Sequence, residues 1–314
     1  MRLIAFPALV ASVVLGACAK APAPTAVGAA TLHAQSKGDW LASQLPAGFQ
    51  AGVGIGVGNR LVVLDAASSA ARLMALPSTW SKLAAPPAGL TDPMLTVTPA
   101  FRVLAISSAE GGQVARLDIE AGTWESLPRL EAPRTGAALG SYGHFAYVAG
   151  GGPEGGASRR VDVLDQTKRK WLAGPLLPEA RGGAVLERVG ARMLLAGGHA
   201  GSGVVDGRCW LLDPATGAWT QTSPMPTPRS RAAVVSYGQF LFVVGGLASS
   251  GPSAAIERFD LGTRSWSRLS PLPEARTAPV ASRIGERVVV LGGQDAAGRP
   301  AGTVWTAPVT AFLP

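Results

Sequence analysis

Charge, cysteine, histidine and helical periodicity are all scarce in this chain. Only 15% of its 314 residues are Asp, Glu, Lys or Arg. The basic residues form no run interleaved with aromatics, which argues against a nucleic-acid partner. Two cysteines leave stability to the apolar core, which is ample at this length. The three histidines, His33, His144 and His199, belong to no cluster with metal-ligand spacing, so no metal and no other cofactor is expected. Nothing of helical period runs long enough to suggest a helical domain. One apolar run, residues 3–14, is too short to span a bilayer and contains Pro7.

What is abundant is glycine, proline and short apolar runs. With 40 Gly, 25 Pro and 47% hydrophobic residues, the composition suits many short strands joined by tight turns. Four of these runs end on the same pair: Val148-Ala149-Gly150-Gly151, Leu195-Ala196-Gly197-Gly198, Val243-Val244-Gly245-Gly246 and Val290-Leu291-Gly292-Gly293. Their first glycines are 47, 48 and 47 residues apart, a period that marks a repeat architecture. Each unit shows four strand signals. The third ends at Asp118, Asp165, Asp213 or Asp260, and a tryptophan follows six positions later in a fourth strand: Trp124, Trp171, Trp219 or Trp266. The Asp213-Pro214-Ala215-Thr216-Gly217 segment carries the turn chemistry of that hairpin. An arginine opens each next unit.

This combination of diglycine, aspartate-x5-tryptophan and opening arginine resembles the kelch repeat of β-propellers. Weaker copies set the blade number. Residues 60–64 and 101–106 read as second strands, the latter with Ser107-Ser108 in place of the diglycine, and Trp80 marks a fourth strand. The final unit lacks its fourth strand, which Asp39-Trp40-Leu41-Ala42-Ser43 at the other end supplies. The expectation is an all-β, six-bladed kelch-type β-propeller, closed by an N-terminal strand that completes the last blade and leaves no long free edge. The repeated tryptophans read as rings filling the gaps between blades.

The domain reading is 1–17 signal peptide, 18–38 tether and 39–314 propeller. Leu15-Gly16-Ala17-Cys18 resembles the lipobox of bacterial lipoproteins, which implies an acylated Cys18, and Ala19 after it implies sorting to the outer membrane. The Ala/Pro-rich segment beyond it reads as flexible. Cys209, in the apolar segment Cys209-Trp210-Leu211-Leu212, reads as a small buried hydrophobe.

Function is expected on the face carrying the longer loops, 151–157, 198–206, 246–253 and 293–301, because loops on a rigid scaffold are where binding residues concentrate. Sixteen residues before each first glycine stands Arg134, Arg181, Arg229 or Arg276. Placed at the start of the innermost strand, these four, with Arg231, are expected to rim the channel mouth and hold a carboxylate or phosphate. Glu179 and Glu274, two residues before Arg181 and Arg276, sit where they would neutralise them. A net charge of +8 also favours anionic partners.

The leading expectation is a monomeric, non-enzymatic binding or scaffold propeller of the bacterial cell envelope, recognising an anionic group on a protein or envelope glycan. The alternative is a sugar-carboxylate mutarotase in the same channel, since the chain also resembles the kelch sialic acid mutarotase of the bacterial periplasm. For that chemistry Glu154, His199 and Asp295 lie on the appropriate face. A third reading is a scaffold that uses its blade sides and has no ligand at the mouth. The tyrosine and histidine set of copper-dependent kelch oxidases is missing, because Tyr142, Tyr237 and His144 fall on the opposite face.

Overall fold

A computed structural model describes residues 36–37, 40–65, 70–75, 79–99, 101–109, 111–201 and 203–314. The expected signal segment 1–17 and Cys18 lie outside the described residues, as does most of the expected tether.

The described chain folds into six antiparallel meander sheets of four or five strands, with a small three-stranded sheet formed by Arg229–Ser230, Leu247–Ala248 and Gly251–Pro252 beside them. Their innermost strands are Ala51–Val57, Pro93–Thr98, Ala138–Tyr142, Val185–Val189, Ala233–Tyr237 and Val280–Ile284. Numbering the sheets as blades in that order, each innermost strand packs on the next, and the sixth packs on the first. The ring is therefore closed, and the architecture is that of a kelch-type propeller. The sixth blade takes its fourth strand from the far end of the chain: Trp40–Gln44 pairs antiparallel with Thr303–Pro308, and the two-residue strand Ser36–Lys37 pairs beyond it.

The second strand of each blade reads as an unbroken apolar run because both of its faces are covered. In Phe145–Ala149, Arg192–Ala196, Phe240–Val244 and Arg287–Leu291 every residue after the first is buried. The core is accordingly distributed among the blade-to-blade gaps. One cluster joins Tyr147 and Val163 of the third blade to Met193 and Trp210 of the fourth. Another joins Leu61 and Trp80 of the first blade to Val289 and Leu291 of the sixth.

Motif residues stitch neighbouring blades together. The Nε1 groups of Trp124, Trp171, Trp219 and Trp266 donate to the carbonyls of Ala84, Pro128, Pro175 and Ser223 in the preceding blade, at 2.9, 2.9, 3.2 and 2.9 Å. These four rings are thus hydrogen-bonding staples as well as filler. On the other side of each gap, the second glycine of the diglycine donates to the following blade: Gly151, Gly198 and Gly246 reach the carbonyls of Arg181, Arg229 and Arg276 at 2.7, 2.9 and 2.8 Å. The first glycine has a steric reason. A Cβ on Gly150 would lie 2.3 Å from the Arg181 carbonyl oxygen, and its φ is +68°. Cys209 is fully buried, donates to the Gly207 carbonyl at 3.2 Å, and has its thiol pushed up to about 12 by desolvation. It behaves as a small inert core residue.

Candidate functional site at the channel mouth

The diglycine turn pulls the chain away from its ladder and leaves carbonyls at the end of each second strand without partners. Three of the four repeat arginines donate to these carbonyls, whereas Arg181 donates to carboxylates only. Arg134 donates from Nε to Gly150 O at 2.7 Å and from Nη2 to Val148 O at 3.1 Å. Arg229 donates to Val243 O at 3.1 Å, and Arg276 to Gly292 O at 3.1 Å. Arg134 is 6% exposed, and Arg181, Arg229 and Arg276 are each 1% exposed.

Each guanidinium also has a counter-charge. Arg134 pairs with Asp162 at 2.6 Å and Arg229 with Glu257 at 3.1 Å. Arg181 pairs with Glu179 at 2.9 Å and Asp206 at 3.1 Å, and Arg276 pairs with Glu274 at 2.9 Å. The expected arc of Arg134, Arg181, Arg229 and Arg276 around the mouth is therefore corrected. Their side chains turn into the blades, where carboxylates hold all four, buried ones in the case of Arg134 and Arg229, and strand-end carbonyls hold three. The sequence located Glu179 and Glu274 but missed Asp162, Asp206 and Glu257. Two of these, Asp162 and Glu257, sit on third strands directly opposite Val148 and Val243.

Arg231 behaves differently. It lies just beyond the two-residue strand Arg229–Ser230, which Leu247–Ala248 pins from the loop above. Its side chain is exposed, meets no partner among the described residues, and lines a central cavity of about 860 Å³.

The backbone there repeats around the ring. Asp92, Gly136, Gly183, Arg231 and Ala278 each enter an innermost strand from a left-handed conformation, with φ of 43°, 68°, 64°, 51° and 49°. All five line the cavity. Amides step from blade to blade along this rim: Gly183 N to Gly136 O, Arg231 N to Gly183 O and Ala278 N to Arg231 O, at 2.7, 2.8 and 3.0 Å. Holding a non-glycine residue in this conformation costs about 1–2 kcal/mol. Strain of this kind is tolerated where a side chain has a task.

His199 is anchored at the same mouth. Its backbone exchanges hydrogen bonds with Gly182 at 2.8 and 2.9 Å, and its Nδ1 lies 3.0 Å from the Ala200 carbonyl. Glu154, itself left-handed at φ 52°, lines the cavity from the loop above the third blade. Asp295 does not line it. Asp295 is held by Arg299 in its own loop, and the Arg299 backbone amide, followed by its guanidinium, keeps the carboxyl below its ordinary range.

Glu187 was not anticipated. It is the single carboxylate of the innermost strands, in a position where the other blades carry small or apolar residues. It lines the cavity four residues along the chain from Gly183 and accepts a 3.4 Å hydrogen bond from the Ser236 hydroxyl. Desolvation raises its pKa from 4.5 to about 7. The folded state thus holds this proton more tightly than the unfolded chain does. The associated stability is complete below about pH 4.5 and is lost as pH rises through about 7. The loss is at most roughly 3 kcal/mol, reduced by water in the channel. Glu187→Gln is expected to flatten the melting temperature between pH 5 and pH 8; an unchanged slope would refute the assignment.

The cavity therefore presents three carboxylates, Asp92, Glu154 and Glu187, beside Arg231 and His199. This is a mixed-charge site rather than a positive one.

Comparison with known proteins agrees with this architecture. The model of the KLHDC2/KLHL20/DRC7 Kelch-repeats domain matches residues 109–293, more than half of the chain. Beta-scruin of Limulus polyphemus is 30% identical over 134 residues, covering 40% of this chain and 15% of that protein. Kelch-like protein terF of Aspergillus terreus is 29% identical over 154 residues, covering 46% and 34%. Kelch-like protein 25 of Rattus norvegicus is 35% identical over 151 residues, covering 43% and 26%. The chain matches only about a third or less of the length of these relatives. Among solved structures, that titled "Structure of YjhT" superposes with a TM-score of 0.69 at 17% identity, covering 83% of this chain and 95% of that one. At that identity the likeness is one of fold.

Proposed function

The chain belongs to the kelch-repeat family, and from that premise we propose that it is a non-enzymatic binding module of the bacterial cell envelope. It is anchored through a lipid on Cys18 and faces the periplasm or the surface. Its contact is an anionic group of a protein or glycan, taken at the channel mouth by Arg231. One observation carries this reading. Arg231 alone among the arginines first singled out is exposed and without a partner among the described residues, in a left-handed backbone conformation that the third and fourth blades give to glycine. Kelch propellers as a class support a binding role, and fold alone does not assign chemistry.

The test is capture of a partner from envelope extract by purified protein, with Arg231→Ala and Arg231→Gly beside the wild type. Both variants are expected to fold and to lose the partner. Arg231→Gly is expected to be as stable as wild type or up to about 1 kcal/mol more stable, because it relieves the left-handed strain. Capture by the variants equal to wild type would overturn the assignment of the mouth.

A second reading rests on His199, Glu154 and Arg231 lining one cavity. It is mutarotation of a sugar carboxylate, with Arg231 holding the carboxylate and His199 or Glu154 moving the proton. Proton NMR of sialic acid anomer exchange at substoichiometric protein tests it. No acceleration over buffer removes it for that sugar.

A further inference from the structure

The second blade, whose repeat motif is altered at the loop face, contributes a charge opposite Arg231. In the second blade Met94 pairs with Ile106 as Ala138 pairs with Ala149 in the third. Ser107 and Ser108 thus occupy the diglycine positions, and Asp92 occupies the rim position of Gly136. The two serines hold the rim in place of the glycines. Ser107 Oγ donates to Thr91 O at 2.7 Å. Ser108 Oγ lies 2.9 Å from Asp92 O and 2.7 Å from Asp92 Oδ2. The departure from the motif therefore yields an oriented carboxylate at the mouth.

Around the ring of six innermost strands, the second and fifth blades are three steps apart in either direction. Asp92 and Arg231 consequently face one another across the cavity from equivalent backbone positions. Glu154 stands above the third blade, on the side of Asp92, and His199 belongs to the fourth, beside the blade of Arg231. The two rim carboxylates, Asp92 and Glu154, thus stand on the second and third blades, and the guanidinium on the fifth; Glu187 lies further along the innermost strand of the fourth blade.

We propose that this mouth takes a zwitterion: an anionic group at Arg231 joined, within one small molecule or peptide terminus, to an ammonium at Asp92 and Glu154. The inference rests on the reading of the mouth as the binding site and specifies its ligand class. An anion without the ammonium brings its charge toward two carboxylates. A cation without the anion leaves the guanidinium unmatched. A ligand carrying both makes charge-assisted hydrogen bonds at each end and is favoured over analogues that leave one side unpaired.

Matched probes test this with the whole protein. They are the ω-amino acids of four, six and eight carbons, each beside the carboxylate and the alkylammonium of the same length, measured by ligand-observed NMR titration at low salt. At least one zwitterion is expected to bind about tenfold or more tightly than both of its single-charge analogues. Asp92→Asn should lower that zwitterion to the level of its carboxylate without weakening the carboxylate. Arg231→Gln should lower it to the level of the alkylammonium. Carboxylates that bind as tightly as zwitterions, with loss only in Arg231→Gln, would overturn the zwitterion inference and leave the anion site standing. Probe binding insensitive to both substitutions, or no binding by any probe, would overturn both.

Discussion

Glu257→Leu is expected to lower the melting temperature by roughly 10 °C, the largest effect of any single side-chain replacement in the repeat arginine network. Arg229 and Glu257 are completely buried partners, and burial already pushes the Arg229 guanidinium below its ordinary range while Glu257 draws it back. Removing the carboxylate strands a charge in the blade interior, at a cost of about 3–5 kcal/mol. Thr227 also loses the acceptor of its hydroxyl, which donates to Glu257 at 2.6 Å. The double variant Arg229→Met, Glu257→Leu should recover most of the loss, because a buried ion pair gains little over packed apolar groups. Glu274→Leu should cost less, since Glu274 is largely exposed and Arg276 keeps the carbonyls of Gly292 and Thr303. Thermal denaturation of the four proteins at one pH decides it. Equal losses for Glu257→Leu and Glu274→Leu would show that burial of the partner does not set the cost.

Gly150→Ala is expected to be comparably severe for a different reason, and Gly143→Ala isolates that reason. Both glycines have positive φ, 68° and 57°. A methyl group on Gly143 would meet nothing within 4 Å, whereas on Gly150 it would lie 2.3 Å from the Arg181 carbonyl. The Gly143 variant pays only the left-handed cost, about 1–2 kcal/mol. The Gly150 variant must in addition push the third and fourth blades apart, weakening the 2.7 Å bond from Gly151 to Arg181. We expect it to lose at least about 3 kcal/mol, near the upper range of single substitutions. Chemical denaturation with linear extrapolation measures the difference. A Gly150 variant no worse than the Gly143 variant would show that the gap yields easily.

The repeat was legible because it is built from residues that touch backbone. Glycine pairs that approach a neighbouring blade, aspartates that cap a hairpin and tryptophans that reach a carbonyl all admit few substitutes, so they recur at fixed spacing. The arginines recur for the same reason, and that regularity drew them into a site they do not form. Their partners alternate. Asp162 and Glu257 occupy a third-strand position where the fourth and sixth blades have Trp210 and Trp305. The acid two residues before the arginine appears only in those latter blades, as Glu179 and Glu274. Each buried guanidinium thus obtains a counter-charge by one of these two routes, and Arg181 has Asp206 in addition. The alternation is present in the sequence, but its meaning depends on knowing that the third strand faces the arginine.

The mouth was harder to read because its informative residues are departures from the repeat. Arg231 stood out by its nearness to Arg229. Asp92 and Glu187 belong to no repeat motif and were not singled out. Their positions on the rim and in the channel follow only from the closed ring.

That closure has a consequence for how the protein is made. Trp40–Gln44 leaves the ribosome roughly 260 residues before its partner Thr303–Pro308. At about 5–20 residues per second the early strand waits tens of seconds with an unpaired edge, exposed to off-target pairing by other chains. The five blades between can form as they emerge, but the sixth cannot. A chain interrupted anywhere before the final strand remains an open arc with unmatched faces at both ends. Joining Trp40–Gln44 to Thr303–Pro308 therefore makes the finished ring a test that the propeller has been made through to its closing strand.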